Sequence, residues 1–147
     1  MSLESYERNG WISAQPTSRD EISGLLAIVS RGIADARVEA ISADLRFIAA
    51  FNSAMTAATV ALRASGYRTK TQGGHHLKAI ETLEFTIAAD TKLINKLRVL
   101  SKKRNATSYD AAGNVSVQEL ELVVKVAEQL QNEVLQWLEK HHPELRP

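Results

Sequence analysis

Apolar residues recur along most of this chain at spacings of three and four, and nowhere with the strict alternation of a half-buried strand. From Ser18 onward, Ile22, Leu25, Val29 and Ile33 give one apolar face, and Glu21 three residues after Ser18 predicts a capping box. A longer helix is predicted from about Ser42 to Ala64. Leu45, Ile48, Met55 and Leu62 mark its stripe, surrounded by Ala49, Ala50, Ala54, Ala57, Ala58 and Ala61. Alanine favours helix and leaves room for a neighbouring backbone. Ser65-Gly66 is a good stop signal, and GYRTKTQGGHH then reads as a polar, glycine-bearing loop.

A third helix carries Leu77, Ile80, Leu83 and Ile87 on one side, and a fourth starts near Asp90 with Leu93, Leu97 and Leu100. A turn, AAGN at 111–114, separates it from the last helix. There Leu120, Val123, Ala127, Leu130, Val134 and Trp137 alternate threes and fours for about three heptads. HHPELRP ends that helix, since proline cannot continue the ladder. The first sixteen residues lack periodicity and read as an arm whose Trp11 and Ile12 are expected to dock on the body. Residues 17–147 form a single domain. The expected fold is all-α, an up-and-down bundle of four to five helices. The long last seam serves either the core or a second copy, and a homodimer is expected.

Composition narrows the choice little. With 18 Lys and Arg against 17 Asp and Glu, no global field draws the molecule to a polyanion, so an electropositive site has to be local. The absence of cysteine excludes disulfides, thiol nucleophiles and cysteine-based zinc sites. No apolar run approaches the ~20 residues needed to cross a bilayer, and MSLESYERNG lacks the apolar centre of a signal peptide. A cytoplasmic protein that does not engage a membrane is therefore expected.

The fourth helix carries the most telling position. Its stripe of Leu93, Leu97 and Leu100 continues at the same spacing to Arg104, while Lys102 and Lys103 fall to the sides. An arginine on the inward face must be paired or must hold an anion, because an unpaired buried charge is costly. One reading pairs Arg104 with Asp110 or a Glu of the last helix. The other uses its planar donor fork to hold a phosphate, with Asn105 adding an amide. On an unbroken helix Tyr109 would lie about 140° round from Arg104, so only fraying or a second copy brings the two together.

Arg104-Asn105-Ala106-Thr107-Ser108-Tyr109 resembles the Arg-polar-three residues-His motif of the HEPN domain superfamily, placed at the end of the penultimate helix. The similarity extends from about Ser18 to Leu145. It takes in LRASGYR closing the alanine-rich helix, the GGHH loop, RNATSYD, and a long last helix ending WLEKHHPEL. It is most similar to the bacterial subgroup whose motif ends in Tyr-Asp. The resemblance implies a four- to five-helix bundle that dimerises and brings two motifs into one cleft. It implies a phosphate-binding role for Arg104, alongside Lys102, Lys103 and Arg68. Two activities occur in that family. Some members are metal-independent ribonucleases of toxin–antitoxin and defence systems; others accompany a minimal nucleotidyltransferase and bind nucleotides.

Tyrosine stands where the nuclease members carry histidine. A phenol with an unperturbed pKa near 10 is a poor general base at neutral pH. The favoured expectation is thus a nucleotide- or RNA-phosphate-binding module, the partner of a nucleotidyltransferase. The alternatives are a metal-independent endoribonuclease and a non-catalytic helical dimer. For catalysis the candidates are Arg104, Asn105 and Tyr109, with His75 and His76 as substitute bases if the GGHH loop faces the same cleft. No spacing suits a metal, no cofactor is expected, and phosphate-loop, dinucleotide-binding and hydrolase motifs are absent.

Overall fold

A computed structural model of the protein describes residues 1–70, 75–109 and 114–147. The described residues are 72% helix in six helices, with one small two-stranded sheet. In order these are α1 (Leu3–Arg8), β1 (Ile12–Ala14), α2 (Arg19–Ala36), α3 (Ala43–Ala64), β2 (Tyr67–Thr69), α4 (His75–Thr82), α5 (Thr91–Tyr109) and α6 (Val117–His141), followed by a 3-10 turn at Pro143–Leu145.

Serine caps fix most of the helix starts. Ser18 accepts from the Glu21 N–H and Ser42 from the Leu45 N–H. The capping box expected at Ser18 is only half formed: the Glu21 carboxylate instead takes the Thr17 hydroxyl at 2.7 Å and the Arg63 guanidinium at 3.0 Å. A reciprocal box does form at α6, where Ser116 and Glu119 bond each other's backbone N–H. Asp90 caps α5 through the Leu93 N–H.

The centre of the molecule is α3. Phe47, Ala50, Phe51, Ala54, Ala57, Ala58, Val60, Ala61 and Leu62 are all buried, which covers most of its circumference. Met55 and Leu62 of the predicted stripe are buried, but Leu45 is 60% exposed and Ile48 half-buried, whereas the two phenylalanines point inward. By length and composition α3 is also apolar enough to cross a membrane, contrary to the sequence reading, and 61% of that window is buried within the fold.

Small residues let α2 approach α3 closely. Gly32 faces the Ala49 carbonyl and the Ser53 side chain, and Ser53 Oγ donates to the Val29 carbonyl at 3.0 Å. Arg46 Nε reaches the Ala36 carbonyl at one end of this pair and Arg63 meets Glu21 at the other, so the two helices are antiparallel. Arg37 with Glu128 and Ser30 with Gln131 set α6 antiparallel to α2 as well. It follows that α3 and α6 run the same way.

The α6 seam packs inward. Leu120, Val123, Val126, Ala127, Leu130, Val134 and Leu138 are buried in the chain's own core, and Trp137 is only half-buried. A second copy would have to use another surface. α4 is shorter than the pattern predicted, ending at Thr82. Leu77 is 40% exposed, while Ile80 and Leu83 enter the core.

The N-terminal arm is structured. β1 pairs antiparallel with β2, Ser13 opposite Arg68, within what the sequence reading took for arm and loop. Ile12 is fully buried with Tyr6 and Leu62, and Trp11 packs beside them.

Candidate anion site

The end of α5 meets the start of α6, and three consecutive basic residues there have different fates. Lys102 is exposed. Lys103 crosses to α6, with its Nζ 3.1 Å from Glu119 and donating to the Asn114 carbonyl at 2.5 Å. Lys103 is thus an ion-pair partner rather than the solvated side-chain lysine the sequence suggested. Glu119 is one of the glutamates of the last helix that the pairing reading of Arg104 allows, and Asp110, the other acceptor of that reading, lies outside the described residues.

Arg104 continues the buried line of Leu93, Leu97 and Leu100, as the spacing predicts, and is half-buried. Its Nε is shielded from solvent and has no hydrogen-bond partner among the described residues. Among the described residues the ion pairs involve Arg37, Arg63, Lys78, Lys103, His142 and Arg146, and Arg104 is in none of them. The Arg104 Nε–H therefore bears the desolvation cost of its burial without an acceptor. A carboxylate or phosphate arriving there would accept two parallel bonds from the guanidinium fork.

The other predicted residues are distributed as follows. Asn105 is exposed on the next position of α5. Helix α5 continues unbroken to Tyr109, so on helical register Arg104 and Tyr109 occupy different faces of one chain. The Tyr109 side chain, Asp110 and the turn at 111–113 lie outside the described residues, as do the His75 side chain and the glycines of the GGHH loop. His76 is half-buried at the start of α4 with its ring 6.0 Å from that of Phe51, edge to face. That is a packing position against α3. Arg68 sits in β2, directly beyond the C-terminal end of α3, while Arg104 lies where α3 and α6 begin. About 30 Å of helix separates these two ends of α3, so Arg68 does not join the Arg104 site.

Two features escaped sequence reasoning. An open cleft of about 610 Å³ lies between the end of α2 and the starts of α3 and α6, floored by Ala43, Leu120 and Val124 and rimmed by Arg46 and Lys125. Nothing in the local pattern could reveal it, because it depends on how three helix ends meet. The second was legible: α5 contains six Lys and Arg and no Asp or Glu. Among the described residues no group of three or more His, Asp or Glu could hold a metal ion.

Neither family models, curated proteins nor solved structures yield a match to this chain.

Proposed function

We propose that the protein is a phosphate-binding helical module of HEPN type that holds a nucleotide or an RNA phosphate through Arg104. The observation that carries this reading is the shielded, unpartnered Nε of Arg104 on the inward line of α5, with Lys103 already taken by Glu119. An arginine with no carboxylate partner among the described residues has its donor fork open to an oxyanion. The motif Arg104-Asn105 ending in Tyr109 supports the same assignment by resemblance, and a nucleotidyltransferase is the kind of partner it suggests.

Titration calorimetry of the purified chain with nucleoside mono- and triphosphates is the direct test. Binding by the native protein, lost in Arg104→Ala at unchanged melting temperature, is the expected result. Nucleotide affinity equal in native and variant protein would remove Arg104 from the site. Incubation with mixed RNA in EDTA adds the second half: no cleavage is expected, since the motif ends in a phenol. Cleavage abolished by Arg104→Ala would replace the binding module with a nuclease.

A further inference from the structure

Charge is segregated in this fold. Six of the 18 Lys and Arg lie on α5, which has no carboxylate, leaving twelve to face all 17 Asp and Glu elsewhere. With 100° per residue, Lys92, Asn95, Lys96, Val99 and Lys103 cluster on a face of α5 centred about 110° round from Leu93, Leu97 and Leu100, with Lys102 at its edge. Lys92, Asn95, Lys96, Val99 and Lys102 are all exposed. Among the described residues Lys92, Lys96 and Lys102 are in no ion pair. From Lys92 to Lys102 the helix rises about 15 Å, so the face presents separated cations along a line rather than a single point.

We infer that this outer face of α5 is a second binding surface, one that tracks the sugar-phosphate backbone of a single-stranded nucleic acid. It goes beyond the Arg104 site, which lies on a different face of the same helix. Lysine and asparagine are among the side chains that contact phosphates. Protein interfaces, by contrast, are depleted of lysine and enriched in aromatics, and this face has no aromatic residue. A bilayer is disfavoured too, because the apolar side of α5 is already spent in the core and cannot turn toward lipid.

The test is binding of a labelled oligouridylate to the whole chain, measured by fluorescence anisotropy over a salt series. For the native protein the logarithm of the affinity should fall linearly with the logarithm of salt concentration. The double substitution Lys92→Gln, Lys96→Gln should flatten that slope by about 1.4 and weaken binding roughly tenfold or more near 0.1 M salt. It should leave mononucleotide binding intact, whereas Arg104→Ala should remove it, so the two sites stand or fall separately. In the opposite direction Val99→Lys, at a position 63% exposed, should steepen the slope by about 0.7. Unchanged affinity and slope in both variants overturn the proposal. So does binding to phosphatidylglycerol vesicles in the absence of RNA binding.

Discussion

Lys103 and Glu119 meet at 3.1 Å across the junction of α5 and α6, and Glu119 also closes the capping box that starts α6. One carboxylate therefore ties the end of one helix to the beginning of the next. The bond from the Ser116 backbone, with the Lys103 contact adding to it, holds the Glu119 carboxyl below its ordinary value of 4.5. A group whose folded pKa is lowered stabilises the fold above its unfolded pKa and loses that contribution as the pH falls through the folded one. Stability should decline below about pH 4.5 more steeply in the native protein than in Glu119→Gln. Lys103→Met at neutral pH should cost only about 0.2–1 kcal/mol, since the pair is partly exposed. Urea denaturation at several pH values checks both statements.

The contact between Gly32 and Ser53 makes a sharper claim about packing. A methyl group at Gly32 would run into Ser53 Oγ and sit 3.1 Å from the Ala49 carbonyl. Gly32→Ala should destabilise the fold by about 1–3 kcal/mol through overpacking, despite its better helix propensity. Adding Ser53→Ala removes the obstructing oxygen, and the double variant should recover much of the loss. A thermal-melt double-mutant cycle in which the two changes simply add would refute the contact as the cause.

At the N-terminal arm, buried Tyr6 donates its hydroxyl to Glu81 at 2.7 Å. Burial first, and then the neighbouring Glu81, push the Tyr6 phenol well above its ordinary value of 10.0. A raised folded pKa means that the contribution is complete below the unfolded value and is lost as the pH climbs through the folded one. Alkaline unfolding should therefore set in above about pH 10. In an ultraviolet absorbance titration Tyr6→Phe should delete the latest-ionising component, and at neutral pH it should cost about 1–2 kcal/mol.

How much of this was legible beforehand depends on contrast in the sequence. In α5 and α6 apolar residues stand out against charged neighbours, so Leu93, Leu97 and Leu100 and the line from Leu120 to Val134 were read in the right phase. In α3 alanine occupies nearly every side, so the apolar spacing alone puts Leu45 inward in place of Phe47, although the polar line of Asn52, Thr56, Thr59 and Arg63 marks the outer face. The strands β1 and β2 are three residues each and owe their existence to a pairing more than fifty positions apart, which no local period encodes. The candidate site divides in the same way. The inward register of Arg104 follows from spacing alone. That Glu119 would go to Lys103 and leave Arg104 unpartnered is a tertiary fact.

That last fact yields the prediction with the most at stake. If Arg104 were a structural ion-pair partner, replacing it would strand a carboxylate and cost about 3–5 kcal/mol. Here the guanidinium has no described acceptor, so its removal strands nothing and relieves the burial of an unsatisfied donor. Arg104→Met keeps the aliphatic stem against the core while deleting the charge. Its stability should equal that of the native protein or exceed it by about 1 kcal/mol, a gain typical of substitution at a residue retained for function. Binding of a phosphate-bearing ligand should reverse the order, raising the melting temperature of the native protein and leaving that of Arg104→Met unmoved. A large loss of stability in Arg104→Met without ligand would make Arg104 a strut of the bundle. Its phosphate would then have to be sought elsewhere on the molecule.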